Sequence, residues 1–231
     1  VTQGFQQGNT VFYNPSNPPI NPNVVLGCTD SLALNYNPLA NIDDSSCCGS
    51  EFLPPSFGSQ IGQDVFGSFP YEELGTSVSF SSDGKILAIA GKEDSNQMGS
   101  YVSIYTLIGD SSWIQFGSNI YLGAQNGRIV TSLSSDGYSV AIGLNTFNGY
   151  TGIVRIYNWD GTSWNQLGQN IHGESSGDES GWSVALSDDA STVAIGAPSN
   201  SSNSWRHGHV RVYNYNSVNN EWQQLGQDLD G

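Results

Sequence analysis

Ser187-Asp188-Asp189-Ala190-Ser191-Thr192-Val193-Ala194-Ile195-Gly196 is the third appearance of one pattern. The earlier forms are Ser81-Ser82-Asp83-Gly84-Lys85-Ile86-Leu87-Ala88-Ile89-Ala90 and Ser134-Ser135-Asp136-Gly137-Tyr138-Ser139-Val140-Ala141-Ile142-Gly143. Asp83, Asp136 and Asp189 stand 53 residues apart each time. A Ser/Asp/Gly cluster ahead of an apolar run reads as a tight turn opening a strand. Ser77-Val78-Ser79-Phe80, just before the first turn, supplies the other arm of a hairpin.

The pattern extends outward from these turns. Tyr101-Val102-Ser103-Ile104-Tyr105, Ile153-Val154-Arg155-Ile156-Tyr157 and His209-Val210-Arg211-Val212-Tyr213 alternate at period two, as half-buried strands do. Trp113, Trp164 and Trp222 then precede an expected fourth strand. That strand is expected to end in Phe116-Gly117-Ser118-Asn119-Ile120, Leu167-Gly168-Gln169-Asn170-Ile171 and Leu225-Gly226-Gln227-Asp228-Leu229, with a further copy at Ile61-Gly62-Gln63-Asp64-Val65. Four strands in about fifty residues is the arithmetic of a propeller blade. The sequence therefore predicts an all-β fold: a partial β-propeller of three four-stranded repeats at about 60–115, 116–166 and 167–224, and the start of a fourth. Ala and Gly in the second strand suit close packing near a ring axis, and Trp and Tyr suit the wider space between blades.

Gly181-Trp182-Ser183-Val184, then Val193-Ala194-Ile195-Gly196-Ala197-Pro198, then Gly208-His209-Val210-Arg211-Val212-Tyr213 resemble the FG-GAP repeat family, of which integrin α-subunit propellers are the best-known members. The likeness spans 60–231 and is fullest in the third unit. The second unit has Arg128 in place of the Gly and Leu144-Asn145 in place of Ala-Pro, and the first has Gly91-Lys92 there. The resemblance implies a propeller. Three units fall short of the four to eight blades of a closed ring. The expectation is that more repeats follow Gly231, ahead of a ring shared between protomers or an open stack.

Upstream, residues 28–48 read CTDSLALNYNPLANIDDSSCC. Cys28, Cys47 and Cys48 clustered in a polar chain read as a disulfide staple in an oxidising compartment, with reduced cytosolic thiols as the alternative. Zinc is disfavoured because no His and no CxxC pair lies nearby. Gly27-Cys28-Thr29-Asp30, Ala33, Asn35-Tyr36-Asn37-Pro38, Ala40, Asp43-Asp44 and Cys47 resemble a short GCTDxxAxNYNPxAxxDDGSC module of secreted marine bacterial and viral proteins, with Ser45 in place of Gly. The resemblance implies a Cys28–Cys47 disulfide, leaving Cys48 free or bonded to another chain. Residues 1–27, with Pro15, Pro18, Pro19 and Pro22, read as an extended arm. Thr10-Val11-Phe12-Tyr13 is either a strand for a neighbour's sheet edge or plain linker, and 49–59 read as a second linker.

Composition narrows the function. Lys and Arg number 6 against 21 Asp and Glu, a net charge of −15, which repels phosphate backbones and anionic lipid. Hydrophobic residues are 37% and Gly numbers 28, favouring turn-rich β structure. No apolar run approaches the roughly 20 residues of a membrane helix. The chain begins at Val1 without a leader pattern, so either a leader has been removed or this is part of a longer protein.

Candidate chemistry is sparse. The repeat turns carry too few carboxylates to cage calcium. Asp30, Asn35, Asn37, Asp43 and Asp44 are the candidate calcium ligands, with Asx-turn capping of their own loop as the stronger reading. His207 and His209 have an i, i+2 metal-site spacing but lack a third ligand in sequence, and read as exposed strand decoration. Glu72-Glu73 and Asp178-Glu179 fall in loops without an identifiable partner, and Glu174–Ser180 read as a polar loop. Tyr101, Tyr105, Tyr157, Trp159, Tyr213 and Tyr215 share a strand face. Tyr105, Tyr157 and Tyr213 are candidate glycan contacts, with packing between blades as the stronger reading. Asn200-Ser201-Ser202 is a glycosylation sequon, a weak signal alone, and no GxSxG, HExxH or P-loop spacing occurs. The expectation is a non-enzymatic extracellular adhesion, surface or filament protein whose partners are chains of the same assembly or cell-surface glycans. A virion fibre and a carbohydrate-active propeller enzyme are the alternatives.

Overall fold

The computed structural model of the chain describes residues 24–31, 33, 36–46, 60–67, 72–93, 99–109, 111–123, 127–201 and 207–231. The expected arm through residue 23, Asn35, Cys47, Cys48 and the 49–59 linker lie outside the described residues. The chain divides into two compact units, 1–60 and 61–231.

In the first unit, β1 (Leu26–Gly27) pairs in parallel with β2 (Ile42–Asp43). Cys28 is disulfide-bonded, and it is buried together with Ala33. Side-chain carboxylates and amides close the local turns. Asp43 and Asp44 each accept the backbone N–H two residues on, at 3.0 Å, and Asn37 does the same for Leu39. These are Asx turns, the capping that competes with cation binding for the same oxygens. Bonds from Ser46 hold the Asp44 carboxyl below the ordinary range.

The second unit holds three antiparallel sheets among its described residues. The first comprises β3 (Ser77–Phe80), β4 (Ile86–Glu93), β5 (Gly99–Ile108), β6 (Ser112–Gln115) and β7 (Ile120–Gly123). The second comprises β8 (Ile129–Leu133), β9 (Ser139–Leu144), β10 (Ile153–Trp159), β11 (Trp164–Gln166) and β12 (Ile171–His172). The third comprises β13 (Ser183–Leu186), β14 (Thr192–Ala197), β15 (His209–Asn216), β16 (Glu221–Gln224) and β17 (Leu229–Asp230). Each sheet places its first four strands in sequence order, the order of a propeller blade.

The fourth strand differs from the sequence reading. Trp113, Trp164 and Trp222 lie within it rather than before it. The Gly-containing motif does not end it but breaks it. The chain kinks at Gly117, Gly168 or Gly226, each with φ between +71° and +80°, and then resumes as β7, β12 or β17 on the same edge of the third strand. A positive φ cannot continue a pleated ladder, and glycine adopts it without a Cβ clash.

The turns that open each second strand share one hydrogen-bond pattern. In the third, Ser187 Oγ donates to Asp189 Oδ1 at 2.6 Å, the Ser191 N–H donates to the same oxygen, and the Thr192 N–H donates to Ser187 Oγ. Ser81 with Asp83 and Ser134 with Asp136 repeat it. Successive turns are also tied together: the Ser82 N–H donates to the Ser135 carbonyl, and the Ser135 N–H to that of Asp188. The period in sequence is thus a ladder in space.

Hydrogen bonds from Ser187 and Ser191 hold Asp189 at about 2, below its ordinary 3.8. A carboxyl depressed in the folded state contributes stability above its unfolded value, and that contribution is lost as pH falls through the folded value. The melting temperature is expected to fall between about pH 4 and pH 2. Asp189→Asn is expected to fall less over that interval, and equal falls in thermal scans would contradict this role.

The core lies between sheets. Ala88, Ala90, Val102, Ile104 and Ile120 of the first sheet pack on Ile129, Leu133, Val140, Ile142, Leu144 and Ile153 of the second. Val154, Ile156 and Ile171 of the second pack on Leu186, Val193, Ile195, Tyr213 and Trp222 of the third. Serines stitch the inner strands: Leu133 N–H donates to Ser79 Oγ, and Leu186 N–H to Ser132 Oγ.

Candidate functional site: an unfilled sheet face

Each tryptophan of the fourth strand seats on the Gly kink of the preceding motif. The indole Nε1 of Trp113, Trp164 and Trp222 donates to the carbonyl of Ile61, Phe116 and Leu167, at 3.1, 3.1 and 2.8 Å. The glycine gives the ring room: a Cβ on Gly62 or Gly168 would lie 2.7 Å from the indole Cδ1 of Trp113 or Trp222. The next residue clamps the backbone. Gln169 accepts the Trp222 N–H and donates to its carbonyl, both at 2.7 Å, and Gln63 does the same at Trp113. Ser118 occupies this place in the middle copy and is too short to reach. There Phe116 stacks on Trp159 with centroids 4.5 Å apart.

The last copy, Leu225-Gly226-Gln227-Asp228, has the same kink, and among the described residues no indole seats on it. A Cβ on Gly226 would meet nothing within 4 Å, and Leu225 is exposed.

The sheet beside it is open in the same sense. Residues paired across the strands form one row on the face that each sheet turns to its successor. The rows are Ser77–Ala90–Val102–Ile120, Val130–Gly143–Val154–Ile171 and Ser183–Gly196–Val210–Leu229. Val102 and Val154 are both 0% exposed, whereas Val210 is 37% exposed. Ile120 and Ile171 are 5% and 4% exposed, whereas Leu229 is 61%. Trp182, Pro198 and His207 border this row, and together they line a cleft of about 320 Å³. Among the described residues of the second unit, the opposite face of the first sheet is open too: Phe80 is 54% exposed, where its counterparts Leu133 and Leu186 are 7% and 9%.

The residues singled out from sequence take the following places. Tyr157 and Tyr213 pack into the two interfaces between sheets. Burial pushes the Tyr105 and Tyr213 phenols up. Asp30, Asp43 and Asp44 are exposed in the first unit. Two readings are corrected. His209 is buried, because the β17 strand and the loop after β12 cover the start of β15, and His207 alone is exposed and precedes the strand. The loop carboxylates do have partners. Glu72 accepts from the Tyr101 hydroxyl, Glu73 pairs with Lys92 at 2.6 Å, Asp178 accepts the Ser175 N–H and Glu179 accepts from Ser199 Oγ. Sequence reasoning missed the role of Gly226 and the open row, although four copies of the motif against the three repeat tryptophans Trp113, Trp164 and Trp222 was the available signal.

No family model matches the chain, and a search of the curated proteins finds no relative. Among solved structures it is similar to a 6-phosphogluconolactonase-type protein from Bacteroides uniformis, with 14% identity and a TM-score of 0.46, covering 67% of this chain and 40% of that one. It is similar to Sqt1 of Saccharomyces cerevisiae, with 13% identity and a TM-score of 0.48, covering 75% and 39%. It is also similar to the β-propeller domain of the Trilobed protease from Pyrococcus furiosus, with 10% identity and a TM-score of 0.38, covering 70% and 43%. The chain thus spans less than half the length of each.

Proposed function

We propose that this chain is a non-enzymatic assembly protein of an extracellular surface or filament, built of β-propeller-type repeats that bind further sheets of the same kind. The observation that carries this reading is the contrast between buried Val102 and Val154 and exposed Val210 at one repeat position. A face that is apolar, shaped like two filled interfaces and bordered by an empty indole seat is complementary to another such sheet. A second copy offers that partner through its own open first sheet, at Val78 and Phe80. Such a contact is head-to-tail, closing a ring or extending a filament. Trp113 already seats on Gly62, so a second copy would exchange its turn at 225–228 for the one at 61–64. The disulfide at Cys28, to Cys47 by resemblance, favours a location outside the cell.

Sedimentation velocity across a concentration series tests this. Reversible self-association is expected, weakened about tenfold or more, roughly 1.4 kcal/mol, by Val210→Glu with Leu229→Asp. A chain that stays monomeric, or that associates equally well with both charges in place, would refute the second-copy reading.

A further inference from the structure

At the buried start of β15 the three repeats diverge in one place. The third-strand residue just before Val102, Val154 or Val210 is Tyr101, Ile153 or His209, and the motif residue two after the kink glycine is Asn119, Asn170 or Asp228. In the first two sheets the Asn is a neutral hub. Asn119 Oδ1 accepts from Gln115 and Ser103, and Asn170 Oδ1 from Gln166 and the Arg155 Nε–H. The third sheet keeps only the glutamine bond, from Gln224 to Asp228 at 2.6 Å. It adds two ionisable groups beside it, His209 and Glu174.

We propose that Glu174, His209 and Asp228 form a binding site for one borderline divalent metal ion of the zinc type. The His209 side chain is 1% exposed, and neither ring nitrogen has a hydrogen-bond partner. Its Nδ1 lies 3.3 Å from Asp228 Oδ2 and 3.9 Å from Glu174 Oε2. The shorter distance permits a hydrogen bond, yet none forms, so the carboxylate sits off the axis of the nitrogen lone pair. Two donors of one ion stand in that relation. Ligands 2.0–2.1 Å from a tetrahedral zinc ion are separated by about 3.3 Å. Donor atoms of the three residues all fall within 4.8 Å of one another, so a small shift of Glu174 completes the set. Glu174 is the solvent-exposed member and provides the route of entry.

The donor chemistry selects the ion. One imidazole nitrogen with two carboxylate oxygens suits zinc and its first-row neighbours, whereas calcium and magnesium favour all-oxygen sets. Arg211 Nη1 lies 3.7 Å from the other Glu174 oxygen, Oε1, and its Nη2 donates to the His172 carbonyl at 2.7 Å. The guanidinium therefore faces Oε1, while Oε2 accepts a long bond from Asn200 Nδ2 at 3.4 Å that an ion would replace. The Arg211 charge offsets one of the two carboxylates, which limits affinity.

Zinc titration of the oxidised full chain by calorimetry tests the assignment, with a thermal-shift series as the second readout. The two control variants restore residues that the fold already uses at these positions: Asp228→Asn matches Asn119 and Asn170, and His209→Ile matches Ile153. One zinc ion per chain is expected, with a raised melting temperature, and each variant is expected to fold and to bind roughly 10–100-fold more weakly. Absence of zinc binding to the wild-type chain, or equal binding by folded Asp228→Asn and His209→Ile, would overturn the proposal.

Discussion

Replacing Trp222 with Ala is expected to cost about 3–5 kcal/mol, the usual range for deleting a buried indole. Trp222 sits in the interface core, bonds to the Leu167 carbonyl, stacks on Tyr215 with centroids 5.2 Å apart and has its backbone clamped by Gln169. Its loss empties the seat and leaves the half-buried Leu167 carbonyl without this donor. Set against a stability of about 5–15 kcal/mol, the loss is a large fraction of the whole. Trp222→Phe keeps most of the apolar area and drops the N–H donor, for a net bond worth about 1 kcal/mol, so it is expected to fall between the two. Urea denaturation measures both. A loss under about 1 kcal/mol for the alanine variant would show that the indole is not a fastener.

The second large effect comes from adding a single methyl group. Gly168 and Gly226 share the motif and nearly the same backbone, φ +71° and +78°. Alanine at either site incurs the left-handed cost, about 1–2 kcal/mol. Only at Gly168 does the new Cβ also meet an indole, at 2.7 Å, adding an overpacking cost of about 1–3 kcal/mol. Gly168→Ala is therefore expected to lose about 2–5 kcal/mol and Gly226→Ala about 1–2 kcal/mol. The difference isolates the seat from backbone strain, and equal losses in denaturant melts would mean that no indole rests on Gly168.

The features legible in the sequence were the local ones. Alternation in Ile153–Tyr157 and the Ser-Asp turns are written in neighbouring residues, and turn chemistry at Asp83, Asp136 and Asp189 fixes the hairpins wherever the sheets lie. Features that needed the next repeat were not legible. Gly117 reads as a strand end because positive φ stops a ladder. Its function, giving space to a residue some fifty positions later, follows only once the sheets are stacked. His209 fails for the same reason: period two puts it on a face, but the β17 strand and the Glu174 loop decide that the face is covered. The aromatics at 157 and 213 follow the packing reading because both lie between sheets.

Thiol labelling of Val102→Cys, Val154→Cys and Val210→Cys, made one at a time and read by mass spectrometry of the labelled peptide, probes the stacking itself. In dilute protein, Val102→Cys and Val154→Cys should be protected until the chain unfolds while Val210→Cys reacts readily in the native state. Equal reactivity at all three positions would contradict sheets stacked in series with the third face open.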